Sequence, residues 1–274
     1  MAYFWVNQGQ TYQVELDGGY LWAPKRTAKG HKRHHWDTMS QLNEGDILYV
    51  QPDGSDFTGN GSTNYPYKTI QKGINVAADS SLILVATGSY NESIDYSGKF
   101  LTVASYYYID PVSFHISGTT ISAVSGRVVK LDGTGSQLAG FTITSGNASA
   151  GSGIHASDSV NIANCIVTGN STSSEGSGAG VYCAASSEVT ISNTTISSNS
   201  LSGGGVGAGI YADGGTSTLV NSIVYYNRRE GDYGGNYNLN GYTMEILDEY
   251  SVSYSDIEGD ENWIPEGEGN ISMA

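Results

Sequence analysis

A repeat of 28–29 residues dominates the second half of this chain and constrains its fold more than any other feature. Apolar residues recur at matching places in each copy, as Ile162, Ile191 and Leu219 show. Self-similarity at this period is typical of stacked structural units. The copies align without gaps as SVNIANCIVTGN (159–170), EVTISNTTISSN (188–199) and TSTLVNSIVYYN (216–227).

The repeated unit has the pattern of short β-strands. Val, Ile and Thr alternate with polar residues, and Gly or Asn interrupts each run. A shorter run precedes each copy, so that Ile154, Val181 and Ile210 also align. Each strand is too short to bury much surface alone, but it can pair with equivalent strands above and below at about 4.8 Å. The pattern therefore predicts a solenoid with apolar columns inside and Ser and Thr outside.

Two sets of asparagines align in the repeat, and we interpret them as turn formers whose side chains stack in ladders. Asparagine tolerates left-handed backbone at a tight bend and bonds to nearby backbone groups, and stacked amides bond to one another. The first set is Asn164, Asn193 and Asn221, and the second is Asn170, Asn199 and Asn227.

Two further segments carry a family resemblance, namely GDILYVQPDGSDFTGNGSTNYPYKTIQKGINVA (45–77) and ATGSYNESIDYSGKFLTVAS (86–105). With the repeat, they resemble pectin-lyase-like, PbH1-repeat surface proteins over about 46–271. The resemblance implies an all-β, single-stranded right-handed parallel β-helix, with a short N-terminal cap helix and an extracellular or cell-surface location. Because the shared residues stack and cap, the resemblance is specific for fold rather than function. We predict about six or seven coils.

The first 47 residues lie outside the repeat. The motifs GGYLWAPK (18–25) and HHWDTM (34–39) resemble the start of an EVE-type PUA-like domain, which implies recognition of modified bases in nucleic acid. The alternative is a lid in which Trp5, Trp22 and Trp36 shield the first coil. The predicted organisation is a lid or partial PUA-like fragment at 1–47, the β-helix at 48–230, and an irregular acidic tail at 231–274.

Charge argues against bulk nucleic-acid binding by the β-helix. The net charge of −15 falls entirely on residues 48–274, while residues 1–47 are neutral. An acidic body repels phosphate backbones. The N-terminus lacks the pattern of a signal peptide, and no apolar run is long enough for a membrane span. Cys165 and Cys183 occupy apolar positions, which favours buried thiols over a disulfide bridge.

Residues with catalytic chemistry are sparse. Arg127, Lys130 and Asp132 form the one place where a base candidate stands beside an acid, as a polysaccharide lyase requires. His115 is isolated in the sequence. In the tail, Asp256, Glu258 and Asp260 are candidate ligands for calcium, and no other cofactor is expected.

Aromatic residues are the remaining sign of a binding site. His155 takes the place that Tyr182 and Tyr211 hold in later coils, and Tyr225 and Tyr226 follow. Aromatic rings flanked by Asn and Asp suit sugar rings. We therefore predict a non-catalytic extracellular module that binds carbohydrate or cell-surface polysaccharide, or mediates adhesion. The alternatives are a polysaccharide lyase or glycoside hydrolase, and nucleic-acid recognition through residues 1–47.

Overall fold

The computed structural model describes residues 16–17, 20–21, 47–202, 204–229, 244–246, 250–253, 255–258, 268–269 and 271–273. The chain divides into two compact units, residues 1–45 and 46–274. In the first unit, strand Leu16–Asp17 pairs antiparallel with strand Tyr20–Leu21. The three tryptophans predicted to form a lid lie outside the described residues.

The second unit is a parallel β-helix whose strands stack into long parallel sheets. Each coil visits the sheets in a fixed order, so equivalent strands from successive coils become neighbours. Sheet A has eight strands: Ile47–Val50, Leu82–Val85, Thr102–Ser105, Gln137–Ala139, Ser159–Ala163, Glu188–Ser192, Thr216–Val220 and Tyr250–Ser253.

Sheet B follows sheet A in each coil and also has eight strands. In the three-residue strands of this sheet, the middle side chain is buried and points inward. The strands are Gly88–Asn91, Thr119–Ser122, Thr142–Thr144, Ile166–Thr168, Thr195–Ser197, Ile223–Tyr225, Asp256–Glu258 and Ile271–Met273.

Sheets C and D complete the coils. Sheet C has six strands: Ile94–Asp95, Val129–Leu131, Ile154–Ala156, Val181–Cys183, Ile210–Ala212 and Met244–Ile246. Sheet D forms in the bend between sheets B and C. Its four strands are Asn147–Ala150, Ser171–Ser177, Ser200–Leu201 and Arg228–Arg229.

The coils wind in a right-handed β-helix, the hand that nearly all parallel crossover connections take. Five coils are complete in sheets A, B and C between Leu82 and Ala212, slightly fewer than the predicted six or seven. The difference arises at the ends. The first coil contributes only strand Ile47–Val50, since a helix closes it, and later coils continue into the predicted irregular tail, where 250–253 and 256–258 extend sheets A and B.

Columns of apolar side chains fill the interior, as the repeat predicts. Ile162 pairs with Ile191 and Ile191 with Leu219, in the same register as the sequence alignment. The side chains in the column are at most 2% exposed. Successive coils thus bury surfaces that a single strand could not bury. The column in sheet A runs through Ile83, Val103, Leu138, Ile162, Ile191 and Leu219.

Helix α1, Ile70–Val76, covers the first coil and confirms the predicted cap. The Thr69 side chain accepts a hydrogen bond from the backbone nitrogen of Lys72 at 3.2 Å, an N-cap that satisfies one free donor. Ile70 and Ile74 are buried against the interior. The Lys99 ammonium donates to three carbonyl oxygens at and just after the helix end, those of Ile74, Asn75 and Ala77.

A long insertion interrupts the bend between sheets A and B of one coil. It contains a 3-10 turn, Tyr106–Tyr108, and the short helix α2, Phe114–Ser117. In the later coils the same bend is a single left-handed asparagine: Asn164, Asn193 and Asn221 have φ values of 54°, 50° and 49°. This confirms the predicted role of the first asparagine set.

The second asparagine set forms a buried ladder. The side-chain nitrogen of Asn170 donates to Oδ1 of Asn199, and that of Asn199 donates to Oδ1 of Asn227, each at 2.9 Å. A glycine in each coil makes room for the ladder. A Cβ atom on Gly180 would lie 2.5 Å from the carbonyl oxygen of Gly209 and 3.0 Å from Nδ2 of Asn199.

Both cysteines are free and buried, as predicted. Burial raises the pKa of Cys165 to about 11 and that of Cys183 to about 12. Each thiol therefore stays protonated and acts as a small apolar side chain in its column. Across the described residues, no helix combines the length and the hydropathy that crossing a bilayer requires.

Candidate functional site

One outward-facing column on sheet C contains four of the predicted site residues: Lys130, His155, Tyr182 and Tyr211. Strands of this sheet bury their first and third positions and present the middle one outward. Parallel pairing therefore places these middle residues above one another, one coil apart. The register gives Asp95, Lys130, His155, Tyr182 and Tyr211, which we call the sheet C column.

Three aromatic rings form the centre of the sheet C column. The ring centroids of His155 and Tyr182 are 5.0 Å apart with an angle of 20° between the planes. Those of Tyr182 and Tyr211 are 5.6 Å apart at 40°. Such offset stacking stabilises each ring by fixing it against its neighbour. The rings are therefore held in a line along the axis of the β-helix.

The His155 imidazole is neutral at physiological pH. Burial lowers its pKa, and the positive charge of Arg127 lowers it further. Its Nδ1 atom is buried, and among the described residues it has no hydrogen-bond partner. A buried polar atom in this state normally requires an explanation. Because its imidazole is neutral, His155 stacks on Tyr182 without placing a charge against the ring.

The Tyr182 phenol is fixed by a carboxylate at the next coil. Its hydroxyl donates to Oδ2 of Asp213 at 2.5 Å, a distance typical of a hydrogen bond to a charged acceptor. Burial and this hydrogen bond raise the pKa of Tyr182. The phenol therefore remains a donor, and Asp213 retains further acceptor positions beside the rings.

Lys130 lies between two carboxylates at one end of the sheet C column. Its ammonium nitrogen is 2.8 Å from Oδ2 of Asp132 and 3.2 Å from Oδ2 of Asp95. The hydrogen bond to Asp132 makes the largest contribution to raising the pKa of Lys130. A base must lose its proton near the working pH. The raised pKa keeps Lys130 protonated, which disfavours it as a base, and its role in a lyase stays a prediction.

Arg127 stands beside the sheet C column. Its Nη2 atom donates to the carbonyl oxygen of Ala150 at 3.2 Å, and burial lowers its pKa. The structure thus brings Arg127, Lys130 and Asp132 to the same face as the aromatic candidates. The sequence did not reveal this arrangement, because Tyr182 and Tyr211 lie far from residues 127–132 along the chain. Asp95 is the residue that sequence reasoning missed, because it belongs to an early coil that lacks the repeat.

The other aromatic candidates lie elsewhere. Tyr225 ends a strand of sheet B, and its ring centroid is 5.1 Å from that of Tyr226. The Arg228 guanidinium carbon is 3.6 Å from the Tyr226 ring centroid, within the range of a cation–π contact. These tyrosines therefore form a second cluster and do not extend the sheet C column.

The predicted calcium ligands do not gather in the described part of the structure. Asp256 and Glu258 belong to strand Asp256–Glu258 of sheet B, while Asp260 lies outside the described residues. Oδ1 of Asp256 is buried without a hydrogen-bond partner in the described residues, and burial raises its pKa. No group of three or more His, Cys, Asp or Glu suited to a metal occurs in the ranges described. The calcium site stays a prediction.

Comparisons with known proteins concern the fold. Residues 53–100 match a family described as "Protein of unknown function (DUF1565)". No curated protein matches. Among solved structures, a pectin methylesterase from carrot is 15% identical, with 81% of this chain and 63% of that chain covered and a TM-score of 0.49.

Two further solved structures are similar to this chain. A pectin methylesterase from Aspergillus niger is 16% identical, with 85% of this chain and 82% of that chain covered and a TM-score of 0.45. The pectate lyase Pel9A is 14% identical, with 81% and 65% covered and a TM-score of 0.48. The chain spans about 63% of the carrot protein. These likenesses are too distant to bear on chemistry. The chain is thus a parallel β-helix by its own strand pairing, and its residues 53–100 match the DUF1565 family.

Proposed function

We propose that the sheet C column is a non-catalytic carbohydrate-binding surface, with a polysaccharide ligand lying along it. One observation carries the proposal: His155, Tyr182 and Tyr211 form a continuous outward stack with ring separations of 5.0 and 5.6 Å. Aromatic side chains with a polar edge combine apolar contact with hydrogen bonding, which a sugar requires. A polysaccharide chain parallel to the axis meets one such group per coil.

Charge favours a neutral polysaccharide as the ligand. The ammonium of Lys130 is already neutralised by Asp95 and Asp132, and Asp213 adds a carboxylate beside Tyr182. The chain as a whole carries a net charge of −15. A polyuronate would be repelled by this surface, whereas hydroxyl groups can donate to the exposed carboxylate oxygens. Adhesion to a surface rich in neutral glycans is the corresponding role.

The test is binding to immobilised polysaccharides, neutral polymers beside polygalacturonate, with the whole chain. Tyr182→Ala and Tyr211→Ala should each weaken binding about tenfold, because each removes roughly 1–2 kcal/mol of ring contact. Tyr225→Ala is the matched control, since its ring lies on sheet B outside the column. Binding that is unchanged in both column variants, or the absence of binding to any polymer, would contradict the proposal.

A polysaccharide lyase is the second candidate, because the structure places Arg127, Lys130 and Asp132 on the same face as the aromatic column. The assay is the absorbance of an unsaturated product from uronate polymers with calcium. Activity that Arg127→Ala abolishes would favour the lyase over the binding module. The absence of product absorbance would exclude the lyase hypothesis.

A further inference from the structure

A second group of polar side chains lies on the bend between sheets A and B. Oγ1 of Thr87 is 3.1 Å from Nδ1 of His115, and Nε2 of His115 is 3.1 Å from Oδ2 of Asp110. His115, isolated in the sequence, is thus the middle member of a hydroxyl–imidazole–carboxylate chain. The imidazole and the carboxylate are 17% and 27% exposed. None of the three belongs to the sheet C column.

The hydrogen-bond partners of His115 determine its tautomer. An ionised carboxylate accepts only, so Nε2 carries the hydrogen that bonds to Asp110. Nδ1 of the neutral ring then has a lone pair and accepts the hydroxyl hydrogen of Thr87. This is the arrangement in which an imidazole removes a proton from a hydroxyl nucleophile while a carboxylate orients the ring.

The long insertion brings Asp110 and His115 to Thr87 by packing against the preceding coil. The backbone nitrogen of Gly88 donates to the carbonyl oxygen of Gly118 at 2.9 Å. A Cβ atom on Gly118 would lie 2.9 Å from Cγ2 of Thr87, so glycine permits this close approach. On the other side, Thr142 Oγ1 donates to the carbonyl oxygen of Ile116 at 3.0 Å. Two coils therefore hold the insertion, and the preceding one supplies Thr87.

Exposed apolar side chains lie on the insertion next to His115. Phe114 is 62% exposed and its ring centroid is 6.1 Å from that of His115. Val112 is 49% exposed on the same insertion. Exposed apolar residues beside a nucleophile suit a short uncharged acyl chain. The Asp110 carboxylate would repel an anionic substrate.

We propose that Thr87 is the nucleophile of an acyl-transfer site for esters of short carboxylic acids. Thr87 Oγ1 attacks the ester carbonyl carbon while its proton passes to Nδ1 of His115. The alcohol leaves with that proton, and the acyl group remains bonded to Thr87 Oγ1. Water, losing its proton to His115, then attacks the acyl carbon; the acid is released and the threonine hydroxyl is restored. Asp110 stabilises the imidazolium at each step.

The experiment follows p-nitrophenyl acetate hydrolysis by the whole chain, with mass analysis of acid-quenched samples. The expected result is a burst of p-nitrophenolate and one acetyl group on the peptide that contains Thr87. Thr87→Val and His115→Gln should each lower the rate about 100-fold or more, because general-base catalysis contributes about 10²–10⁴-fold. Thr87→Ser should retain activity.

Thr142→Val is the matched control for folding. It removes a hydrogen bond to the same insertion but changes none of Thr87, His115 and Asp110. It should keep the wild-type rate. An equal loss in Thr142→Val would show that the insertion merely needs its hydrogen bonds and would overturn the proposal. The proposal would also be overturned by hydrolysis that persists in Thr87→Val, by a rate no higher than that of buffer, or by acetylation of another residue. Carbohydrate binding is independent of all these outcomes.

Discussion

The side-chain nitrogen of Asn170 donates to the side-chain oxygen of Asn199 across 2.9 Å, in an interior where both residues are 1% exposed. The backbone nitrogen of Asn170 donates to the same oxygen at 3.1 Å. The Asn199 amide also donates to the carbonyl oxygen of Val167 at 3.0 Å. The same amide donates to Oδ1 of Asn227 at 2.9 Å, so Asn199 bonds to groups in both neighbouring coils and couples the stability of each coil to that of the next.

Asn199→Ala should lower the free energy of unfolding by about 3 kcal/mol, since each buried polar group left unpaired costs about 1–3 kcal/mol. Urea denaturation followed by circular dichroism measures the change. Asn193→Ala is the control: its side chain is exposed and accepts from Asn221, and its left-handed backbone makes the cost only about 1 kcal/mol. Equal effects of the two variants would contradict the claim that the buried ladder matters more.

The regular coils could be predicted from the sequence because their lengths agree. Residues 28 or 29 apart, such as Asn170 and Asn199, fall on the same side of the β-helix. The alternation of Val and Ile with polar residues then determines which side chains point inward. The cap helix was predicted from the family resemblance of residues 45–77, and the structure shows Ile70 and Ile74 buried in it behind the N-cap Thr69.

The early coils could not be predicted in the same way, because their lengths differ. Leu82 pairs with Thr102 after 20 residues, whereas Thr102 pairs with Gln137 after 35. No repeat is visible at such unequal spacing. The contacts of Lys130 with Asp95 and of His115 with Thr87, which define the two candidate sites, were therefore hidden. Each needs the register between two coils, which only the structure supplies.

The glycines before the sheet C strands of the regular coils, such as Gly153 and Gly180, should be intolerant of a side chain. A Cβ atom on Gly180 would lie 2.5 Å from the carbonyl oxygen of Gly209, and backbone atoms cannot move aside cheaply. Gly180→Ala should therefore lower the free energy of unfolding by about 1–3 kcal/mol, the usual cost of overpacking. Gly204→Ala is the control, since its Cβ would only reach ordinary contact with Glu175 at 3.7 Å. Thermal unfolding of both variants measures the difference.

Both thiols should be unreactive in the folded protein, because burial raises the pKa of Cys165 to about 11 and that of Cys183 to about 12. The thiolate is the reactive form and is nearly absent at neutral pH. A chromogenic disulfide reagent should therefore detect no thiol in the native protein, and both thiols after denaturation in urea. Rapid labelling of either cysteine in the native state would show that its column opens.

His155 should make the protein less stable in mild acid. Because burial, and secondly the charge of Arg127, lower its pKa below 6.5, the unfolded chain takes up a proton at a pH where the folded protein does not. Stability is therefore complete above about pH 6.5 and falls as the pH drops from there to the lowered pKa of the folded state.

His155→Tyr tests this, because it removes the titrating group and continues the stack formed by Tyr182 and Tyr211. The variant should lose less stability than the wild type between about pH 7 and about pH 5, in urea titrations at each pH. His155→Gln serves as the control without a ring: it should share the flatter pH dependence but be less stable at every pH. Parallel pH profiles for the wild type and both variants would show that another group causes any acid sensitivity. In that case the neutral imidazole, and with it the uncharged centre of the sheet C column, would have to be abandoned.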